Sequence, residues 1–427
     1  MVASFSEGAV PLPQLRCLEK RACCCCNAYC RASRPARSQF SGGCSEYRRL
    51  RQGHAGAMPG VSDGALSAME RASVQSARRG LGVAVLASMT PRPSLSIVVN
   101  NYNYARYLPA ALESALGQLG ERDEIIVVDD GSTDDSAEVL SRYADNPHMT
   151  VLLQRNQGQF AAVLNGLAAA RGDLCVLLDS DDYLLPGYLS RLRTTAEEQS
   201  QEDFFFSAAE PGGESVSAAE MTRATLARMA LPEGPTGASR WGTWVAGEFL
   251  GTPTSGLALR ASLVEAILAM REQLVDRLAC PAWAVRVFRM NTSSHIVSRL
   301  SADGIIVRAS SLLGARKYCM RTPGFFYRIH GGNAFAGLGT LARLYLRFKR
   351  GKQVVSIVGA ALEMPPRPTV QQVLLEAEGR SAPLRFRRRL TLWLNYSRAL
   401  LCAADAIPMR LTALLQLPWR LFRHSKA

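Results

Sequence analysis

Three carboxylates and a hydroxyl, from Asp179 to Asp182, directly follow five apolar residues, Leu174 to Leu178. The apolar run has the length and content of a buried strand. Two carboxylates about 5 Å apart repel each other by roughly 3 kcal/mol at an effective dielectric constant of ~20. A fold therefore tolerates this turn where a cation binds among the acids or where the turn is fully solvated. Mg²⁺ and Mn²⁺ prefer oxygen ligands and bind one or two carboxylates together with substrate phosphates, so the first alternative predicts a metal site for a diphosphate ligand.

The chain before and after this turn alternates between strand and helix. Four apolar runs predict strands, at residues 95–100, 124–130, 150–154 and 174–178. The segments between and after them predict helices, at 108–119, from Ser132 or Thr133 to Tyr143, at 159–170, and from Pro186 to about Thr195. Strands joined by short crossover helices form an open α/β sheet, doubly wound and mostly parallel, with helices on both faces.

Polar residues follow each of the four predicted strands. They are Asn100 and Tyr102 after the first strand, Asp129 and Asp130 after the second, Arg155, Asn156 and Gly158 after the third, and Asp179 and Asp181 after the fourth. Ligands of such sheets bind outside the carboxyl ends of the strands, and all of these residues fall on that edge. Solvated loops would scatter their acids over both edges, so the pattern favours the metal site. The sequence has neither of the common glycine-rich phosphate-binding motifs, and a metal ion would therefore have to hold the phosphates.

Four stretches in order resemble the family 2 glycosyltransferases of the GT-A fold: SIVVNNYNYARYLPAALESALGQ, EIIVVDDGSTDDS, RNQGQFAAVLNGLAAARGD and LLDSDDYLLPGYL. The resemblance covers residues 94–195 closely and 252–335 more loosely. It implies transfer of a sugar from a nucleotide-diphosphate sugar, most commonly a UDP-sugar, to a saccharide, lipid-linked or other acceptor. It also implies inversion at the sugar carbon and a requirement for Mg²⁺ or Mn²⁺.

The resemblance also implies roles for single residues. It assigns contacts with the nucleotide to Asn100, Tyr102, Asp130 and Asp179, and contacts with the diphosphate to Arg155, Gly158 and His330. It assigns the metal to Asp181, an acceptor loop to Thr254 and Ser255, and the role of catalytic base to Asp303. The resemblance assigns Asp179 to the ribose or to the metal shell, and Asp129 is expected to support its loop. Structural alternatives stay open for three residues: Asp182 as a charge at a helix start, Asp303 as a helix cap, and His330 as a structural histidine after a strand.

Charge is distributed unevenly along the 427 residues. The segment 1–92 has 13 basic and 5 acidic residues, the segment 380–427 has 10 basic and one acidic residue, and the chain between them is slightly acidic. A nucleic-acid-binding protein would place its basic residues on the central domain, so we expect no nucleic-acid partner. No run of 18 uncharged apolar residues is present, which argues against a membrane-spanning helix, and we expect a cytoplasmic protein, at most peripheral on the inner face of the plasma membrane.

These patterns predict three regions. Residues 1–92 are expected to be a disordered basic leader, with Met89 as the true start, or else a genuine disordered arm. Residues 93–340 are expected to form the GT-A domain, with a nucleotide-sugar half at 93–200 and an acceptor half at 201–340. Within it, residues 279–298 fit no pattern. Residues 341–427 are expected to form a basic amphipathic helical extension.

Two alternatives concern function and one concerns the helical extension. A non-catalytic sugar-nucleotide-binding protein with a degraded acceptor half would also explain the donor motifs, and the irregular segment 279–298 motivates that alternative. A dehydrogenase or methyltransferase on a doubly wound sheet is disfavoured by the missing glycine fingerprint. The helical extension either lies weakly on anionic membranes or packs as a bundle on the catalytic domain.

Overall fold

The computed structural model describes residues 92–229, 231–277, 302–331, 351–380 and 386–422. The expectations for residues 1–91, including the start at Met89, and for the segment 279–298 lie outside these residues. Within the described residues, nine strands form one mixed sheet. The strands are β1 Leu95–Asn101, β2 Glu124–Asp129, β3 Met149–Leu153, β4 Leu174–Asp179, β5 Tyr183–Leu184, β6 Phe204–Gly213, β7 Gly234–Gly237, β8 Leu257–Arg260 and β9 Lys317–Ile329.

Helices cover both faces of the sheet and continue beyond its last strand. They are α1 Leu108–Leu116, α2 Ser136–Ser141, α3 Gln159–Ala169, α4 Tyr188–Glu198, α5 Val216–Met229, α6 Arg240–Ala246, α7 Ala261–Leu268, α8 Arg271–Arg277, α9 Ala302–Leu313, α10 Gly351–Ala361, α11 Val370–Glu378, α12 Phe386–Leu401 and α13 Ile407–Phe422. The predicted α/β class, with a helical C-terminal extension, is confirmed. Among the described helices, none combines the length and hydropathy of a membrane span.

The first four strands form the parallel half of the sheet, in the order β3-β2-β1-β4. Their interiors are buried on both faces: Ile97 and Val99 pack against one group of helices, whereas Val98 packs in the cluster on the opposite face. Two-sided burial explains why these strands are continuous apolar runs, since neither face can present polar side chains to water.

The remaining strands extend the sheet through β8, β6, β9 and β5, with β7 paired to β9. The pairings β4–β8, β6–β8, β5–β9 and β7–β9 are antiparallel, and β6–β9 is parallel. This half was only partly predicted. Strand β6 continues to Gly213 through residues of low strand propensity, and the two-residue strand β5 precedes the helix expected from Pro186.

The predicted start of the second helix, at Ser132 or Thr133, is wrong. Helix α2 begins at Ser136, and no side chain caps it. The Ser132 hydroxyl donates instead to the Asp129 carboxylate at 2.6 Å and accepts from the Asn103 backbone N–H at 2.9 Å. Residue types that cap helices also brace loops by the same hydrogen bonds, and here the loop bond is the one that forms.

The C-terminal helices belong to two different clusters. Helix α10 contributes Val354, Val355 and Val358 to the main core, whereas α11, α12 and α13 enclose a smaller core of their own. Buried ion pairs attach this three-helix unit to the loop after α6, because Arg380 and Arg388 both donate to Glu248. The Glu376 carboxylate also accepts from the backbone N–H groups of Trp241 and Gly242. The extension therefore packs on the sheet domain as a bundle.

Candidate active site

The carboxyl ends of the first four strands meet at one edge of the sheet. In the strand register, Asn100 lies beside Asp179, Asn101 beside Asp129, and Asp129 beside Leu153. The Asn100 side chain lies near the Asp179 carboxylate and favours its ionised form, which opposes the rise in the pKa of that acid. Parallel pairing of these strands thus brings the polar residues after β1, β2 and β4 to one edge, as the sequence predicted.

Three carboxylates of the turn after β4 form a compact cluster. One oxygen from each of Asp179, Asp181 and Asp182 lies within 4.8 Å of the others. Burial, followed by the charge of Asp181, raises the pKa of Asp179 to about 7. Burial and the two neighbouring acids also raise the pKa of Asp182 well above its usual value. Both shifts show that negative charge in this cluster is costly, and a divalent cation bound among these hard oxygen donors would relieve that cost.

The acids of the cluster differ in what already holds them. Asp182 is 1% exposed and accepts from the Ser255 hydroxyl at 2.6 Å and the Arg328 backbone N–H at 2.8 Å. It therefore braces the turn, and its predicted role as a charge at a helix start is wrong, because α4 begins only at Tyr188. Asp181 is 9% exposed, and its carboxylate is the better placed of these two to receive a metal ion.

Ser255, predicted in an acceptor loop with Thr254, lies beneath the acidic turn. Both residues belong to a short 3₁₀ helix before β8 and are buried. The Ser255 hydroxyl donates to Asp182 and accepts from the Asp179 backbone N–H at 3.0 Å. In the structure Ser255 supports the acidic turn, and contact with an acceptor stays a prediction for this segment.

His330, which the resemblance assigns to the diphosphate, lies at the acidic cluster. Its Nε2 is 3.1 Å from Asp181 Oδ2, and the residue is 6% exposed. The rings of Tyr104 and Tyr107 pack against the imidazole at centroid distances of 5.5 and 4.8 Å. Burial and the nearby Asp181 and Asp179 raise the pKa of Tyr104 above its usual range. These two aromatic residues therefore form one wall of the site.

Arg328 is a site residue that the sequence analysis missed. Its Nε donates to the Asp181 backbone oxygen at 2.7 Å, and its guanidinium lies over the ring of Tyr107 at 4.9 Å from the centroid. Arg328 is on β9, two residues before His330, which directly follows the strand, and alternate residues of an extended chain point to the same face. That spacing in YRIH was the signal available in the sequence.

On the nucleotide side, Asp129 and Asp130 have different partners. Asp129 accepts from the Asn101 side chain at 2.8 Å and from Ser132, which fits its expected role in supporting the loop. Asp130 is 2% exposed and accepts from the backbone N–H groups of Gln157 and Gly158, each at 2.7 Å.

Asp130 therefore fixes the loop that begins at Arg155. Gly158 is at a φ of +89°, a conformation that favours glycine. Arg155 is exposed at the start of this loop, and Tyr102 is partly buried after β1. The structure thus places these residues at the predicted edge.

Asp303 lies in the first turn of α9, close enough to Asp179 for its charge to contribute to the raised pKa of that acid. The helix already begins at Ala302, so Asp303 is inside its first turn rather than at the cap position. Its Oδ1 accepts from the Gly304 backbone N–H at 2.7 Å.

Gln159 connects this helix to the acidic cluster, and the sequence analysis did not single it out. The side-chain Nε2 of Gln159 donates to Asp179 Oδ1 at 2.8 Å, and its Oε1 accepts from the Ala302 backbone N–H at 3.1 Å. The side-chain amide of Gln159 thus connects Asp179 to Ala302, the residue before Asp303.

Comparison with known proteins agrees with this geometry. Residues 96–245 match the family model described as Glycosyl transferase family 2. An uncharacterised glycosyltransferase, alr2836, from Nostoc sp. is 42% identical over 100 residues, which are 23% of this chain and 31% of that protein. The undecaprenyl-phosphate 4-deoxy-4-formamido-L-arabinose transferase of Pseudomonas syringae is 42% identical over 118 residues, 26% of this chain and 35% of the relative. The chain therefore spans about a third of the length of these curated relatives.

Solved structures with similar architecture have low sequence identity. TarS from S. aureus in complex with UDP-GlcNAc aligns over 77% of this chain and 85% of its own, with 15% identity and a TM-score of 0.44. The mannosyltransferase PcManGT from Pyrobaculum calidifontis, in complex with GDP-Man and Mn²⁺, aligns over 82% of this chain and 97% of its own, with 14% identity and a TM-score of 0.37. The family model and the curated relatives show that residues 96–245 are similar to the family 2 glycosyltransferases, and strands β1 to β4, which form the edge described above, lie within or next to that segment.

Proposed function

We propose that this chain is an inverting glycosyltransferase that uses a nucleotide-diphosphate sugar and a divalent metal ion. The observation that carries the proposal is the cluster of Asp179, Asp181 and Asp182 at the carboxyl edge of a family 2 domain, with three oxygens within 4.8 Å of one another. A divalent cation among these oxygens would offset part of their negative charge and could hold a diphosphate that the carboxylates alone would repel.

For the donor, we propose a UDP-sugar bound along the carboxyl ends of β1 to β4. Asn100, Tyr102 and Asp130 would contact the nucleotide, and Asp179 would contact the ribose or the metal shell. Arg155, His330 and the backbone of Gly158 would face the diphosphate. The burial of His330 against Asp181 supports this arrangement, because an imidazole N–H at this position could donate a hydrogen bond to the leaving diphosphate.

For the metal, we propose that Asp181 is the principal ligand of Mg²⁺ or Mn²⁺. Asp182 already accepts from Ser255 and Arg328 and is 1% exposed, whereas Asp181 is 9% exposed and contacts His330. Asp179 accepts from Gln159. When bound, the ion would neutralise the diphosphate as the bond to the sugar breaks. The residues of this chain supply the remaining steps.

For the transfer step, we propose Asp303 as the catalytic base. An acceptor hydroxyl attacks the anomeric carbon from the face opposite the diphosphate, so that a glycosidic bond forms and the sugar–phosphate bond breaks. The proton of the hydroxyl passes to the Asp303 carboxylate, and the electron pair of the broken bond leaves with the nucleoside diphosphate. The position of Asp303 near Asp179, but on a different element, supports this role.

For the acceptor, we propose a hydroxyl on a saccharide or on a lipid-linked saccharide. The name of the Pseudomonas syringae relative describes transfer involving undecaprenyl phosphate, which supports a lipid-linked class. A phosphate acceptor is already ionised at neutral pH and needs no base, whereas a hydroxyl does, so a catalytic role for Asp303 favours the hydroxyl. The cytoplasmic location stays a prediction.

A panel of nucleotide sugars tests the proposal with the full chain. One donor, with Mn²⁺ present, should raise the melting temperature, since a ligand at 100 times its Kd adds about 2.7 kcal/mol to the free energy of unfolding. That donor should then release its nucleoside diphosphate when a matching acceptor is added. A donor that binds but is never consumed with any acceptor would favour the non-catalytic binding protein. No binding of any nucleotide sugar would contradict both.

A further inference from the structure

The two last described helices, α12 and α13, carry most of the exposed apolar surface of the molecule. We call them the terminal hairpin. Nine of the 13 exposed large hydrophobic residues in the described part of the chain lie on it. Such a concentration is unusual for a free surface, since single exposed apolar residues are normal but contiguous patches mark interaction sites.

The exposed residues form one stripe on each helix. On α12 they are Phe386, Leu390, Leu394 and Leu401, and on α13 they are Ile407, Leu411, Leu415 and Trp419. Steps of four, or of seven, residues keep side chains on one face of a helix. The residues buried in the small core, such as Leu392 and Tyr396 on α12 and Ala413 and Leu417 on α13, lie on the opposite face. Each helix therefore has an apolar outward face in addition to its buried one.

The charge of the hairpin decides between two occupants for this face. Residues 386–422 contain six basic residues and one acidic residue, Asp405, and Arg388 among them donates to Glu248. Arg398 is exposed, and Arg410 and Arg420 are partly exposed beside the stripe. Two copies of the chain meeting through this face would bring two basic hairpins together, and like charges would oppose that contact. A surface of anionic lipids would instead attract them.

We propose that the terminal hairpin lies on the surface of a membrane that contains anionic lipids, with its apolar stripe in the interface and its arginines at the head groups. Helices that lie in an interface combine buried apolar area with attraction of basic side chains to anionic lipid. This inference goes beyond the proposed sugar transfer and stands without it, because binding to lipid needs neither donor nor acceptor.

Co-sedimentation of the full chain with vesicles tests the proposal. The parent protein should bind vesicles of phosphatidylcholine mixed with phosphatidylglycerol more strongly than vesicles of phosphatidylcholine alone, and added salt should weaken the binding. The Leu411→Glu/Leu415→Glu variant should lose about tenfold or more in affinity, because it removes two apolar side chains from the interface.

A matched variant separates the apolar stripe from the charge. Thr412→Glu/Gln416→Glu adds the same two charges at exposed positions beside the stripe and should bind anionic vesicles more tightly than the stripe variant. Melting temperatures equal to that of the parent show that both variants fold. If the stripe variant does not fold, Leu415→Gln, at a position that is 82% exposed, replaces it.

Three results would overturn the proposal. One is a parent protein that does not bind anionic vesicles more strongly than neutral ones, and another is an equal loss of affinity for vesicles in the two charge variants. The third result is a parent protein that is a dimer, does not bind vesicles, and becomes a monomer in the stripe variant.

Discussion

At the scale of single residues, the acidic turn shows why neighbouring carboxylates have different tasks. Asp182 is buried and held by Ser255 and by the backbone of Arg328, so it shapes the turn. Asp179 is held by Gln159, and Asp181 contacts His330. The hydrogen-bond partners of each acid, more than its position in the sequence, therefore indicate which carboxylate can bind a ligand.

Asp303→Asn separates a catalytic base from a residue that only stabilises the start of α9. Asn keeps the size of the side chain and can still accept from the Gly304 N–H, but it cannot take a proton. We expect the variant to melt and bind donor like the parent and to transfer sugar to a hydroxyl acceptor at least ~100-fold more slowly. Steady-state transfer kinetics measure this change.

Transfer by Asp303→Asn at the parent's rate would show that Asp303 is not the base. If the matching acceptor were then found to be a phosphate, the same result would follow from its chemistry, because an ionised phosphate oxygen needs no proton acceptor. Comparing hydroxyl and phosphate acceptors in the same assay distinguishes these outcomes.

Gln159→Met removes both hydrogen bonds of Gln159 at similar side-chain volume. Because Gln159 joins Asp179 to the first residue of α9, we expect Asp303 to lose its fixed position relative to the donor. The variant should show a kcat reduced about tenfold with a smaller change in the KM for the donor. Gln157→Met is the control, since its side chain is exposed. Equal kinetics for the two variants would contradict a positioning role for Gln159.

The residues of the site differ in how far the sequence could predict them. Asp181 and His330 stand in recognisable patterns after strands, so their neighbourhood could be predicted from topology. Gln159 could not, because it is a long polar side chain whose partners come from distant parts of the chain. Arg328 was missed although it precedes His330 by two residues in YRIH. Asp182 was misassigned because its sequence context resembles a helix start, whereas its burial depends on Ser255 in a later segment.

At the scale of elements, the parallel half of the sheet was predictable and the other half was not. Strands β1 to β4 are buried on both faces, and their continuous apolar runs reveal them. The end of β6 contains Ala208, Ala209, Glu210 and Pro211, which have low strand propensity. Nevertheless, β6 pairs with β9 along its whole length. Pairing with a neighbouring strand overrides local propensity there, and sequence patterns do not report such pairing.

The attachment of the C-terminal bundle depends on one buried acid, Glu248. It is 7% exposed and accepts from Arg380, which is 3% exposed, and from Arg388. Glu248→Gln would leave the charge of Arg380 buried without a counter-ion, which typically costs about 3–5 kcal/mol. We expect a loss of that size in the free energy of unfolding measured with urea.

The control for this prediction is Glu378→Gln. Glu378 pairs with Arg420 at 2.9 Å, but both side chains are partly exposed, and such surface pairs contribute about 0–1 kcal/mol. Similar small losses in the two variants would show that the bundle does not depend on Glu248.

At the scale of the whole molecule, one compact unit combines a donor edge, a helix that carries the proposed base, and a bundle with an apolar outward face. The bundle packs against α6, and the segments next to α6 contribute side chains to the main core of the sheet domain. A membrane contact through the terminal hairpin would therefore hold the catalytic domain close to a lipid-linked acceptor. The donor edge itself does not depend on that contact, so binding of nucleotide can be measured in solution.

The central claim is that a metal ion at Asp181 holds a nucleoside diphosphate, and a thermal-shift titration tests it most directly. The diphosphates of uridine, guanosine, cytidine and thymidine would be titrated into the parent and into Asp181→Ala, each with Mn²⁺ and with a chelator. We predict that at least one of them stabilises the parent only when Mn²⁺ is present, and that Asp181→Ala loses this effect. Without metal, Asp181→Ala should melt at or above the temperature of the parent, because the substitution removes one repelling carboxylate from the cluster. A nucleoside diphosphate that stabilises both proteins equally, with and without Mn²⁺, would contradict the account.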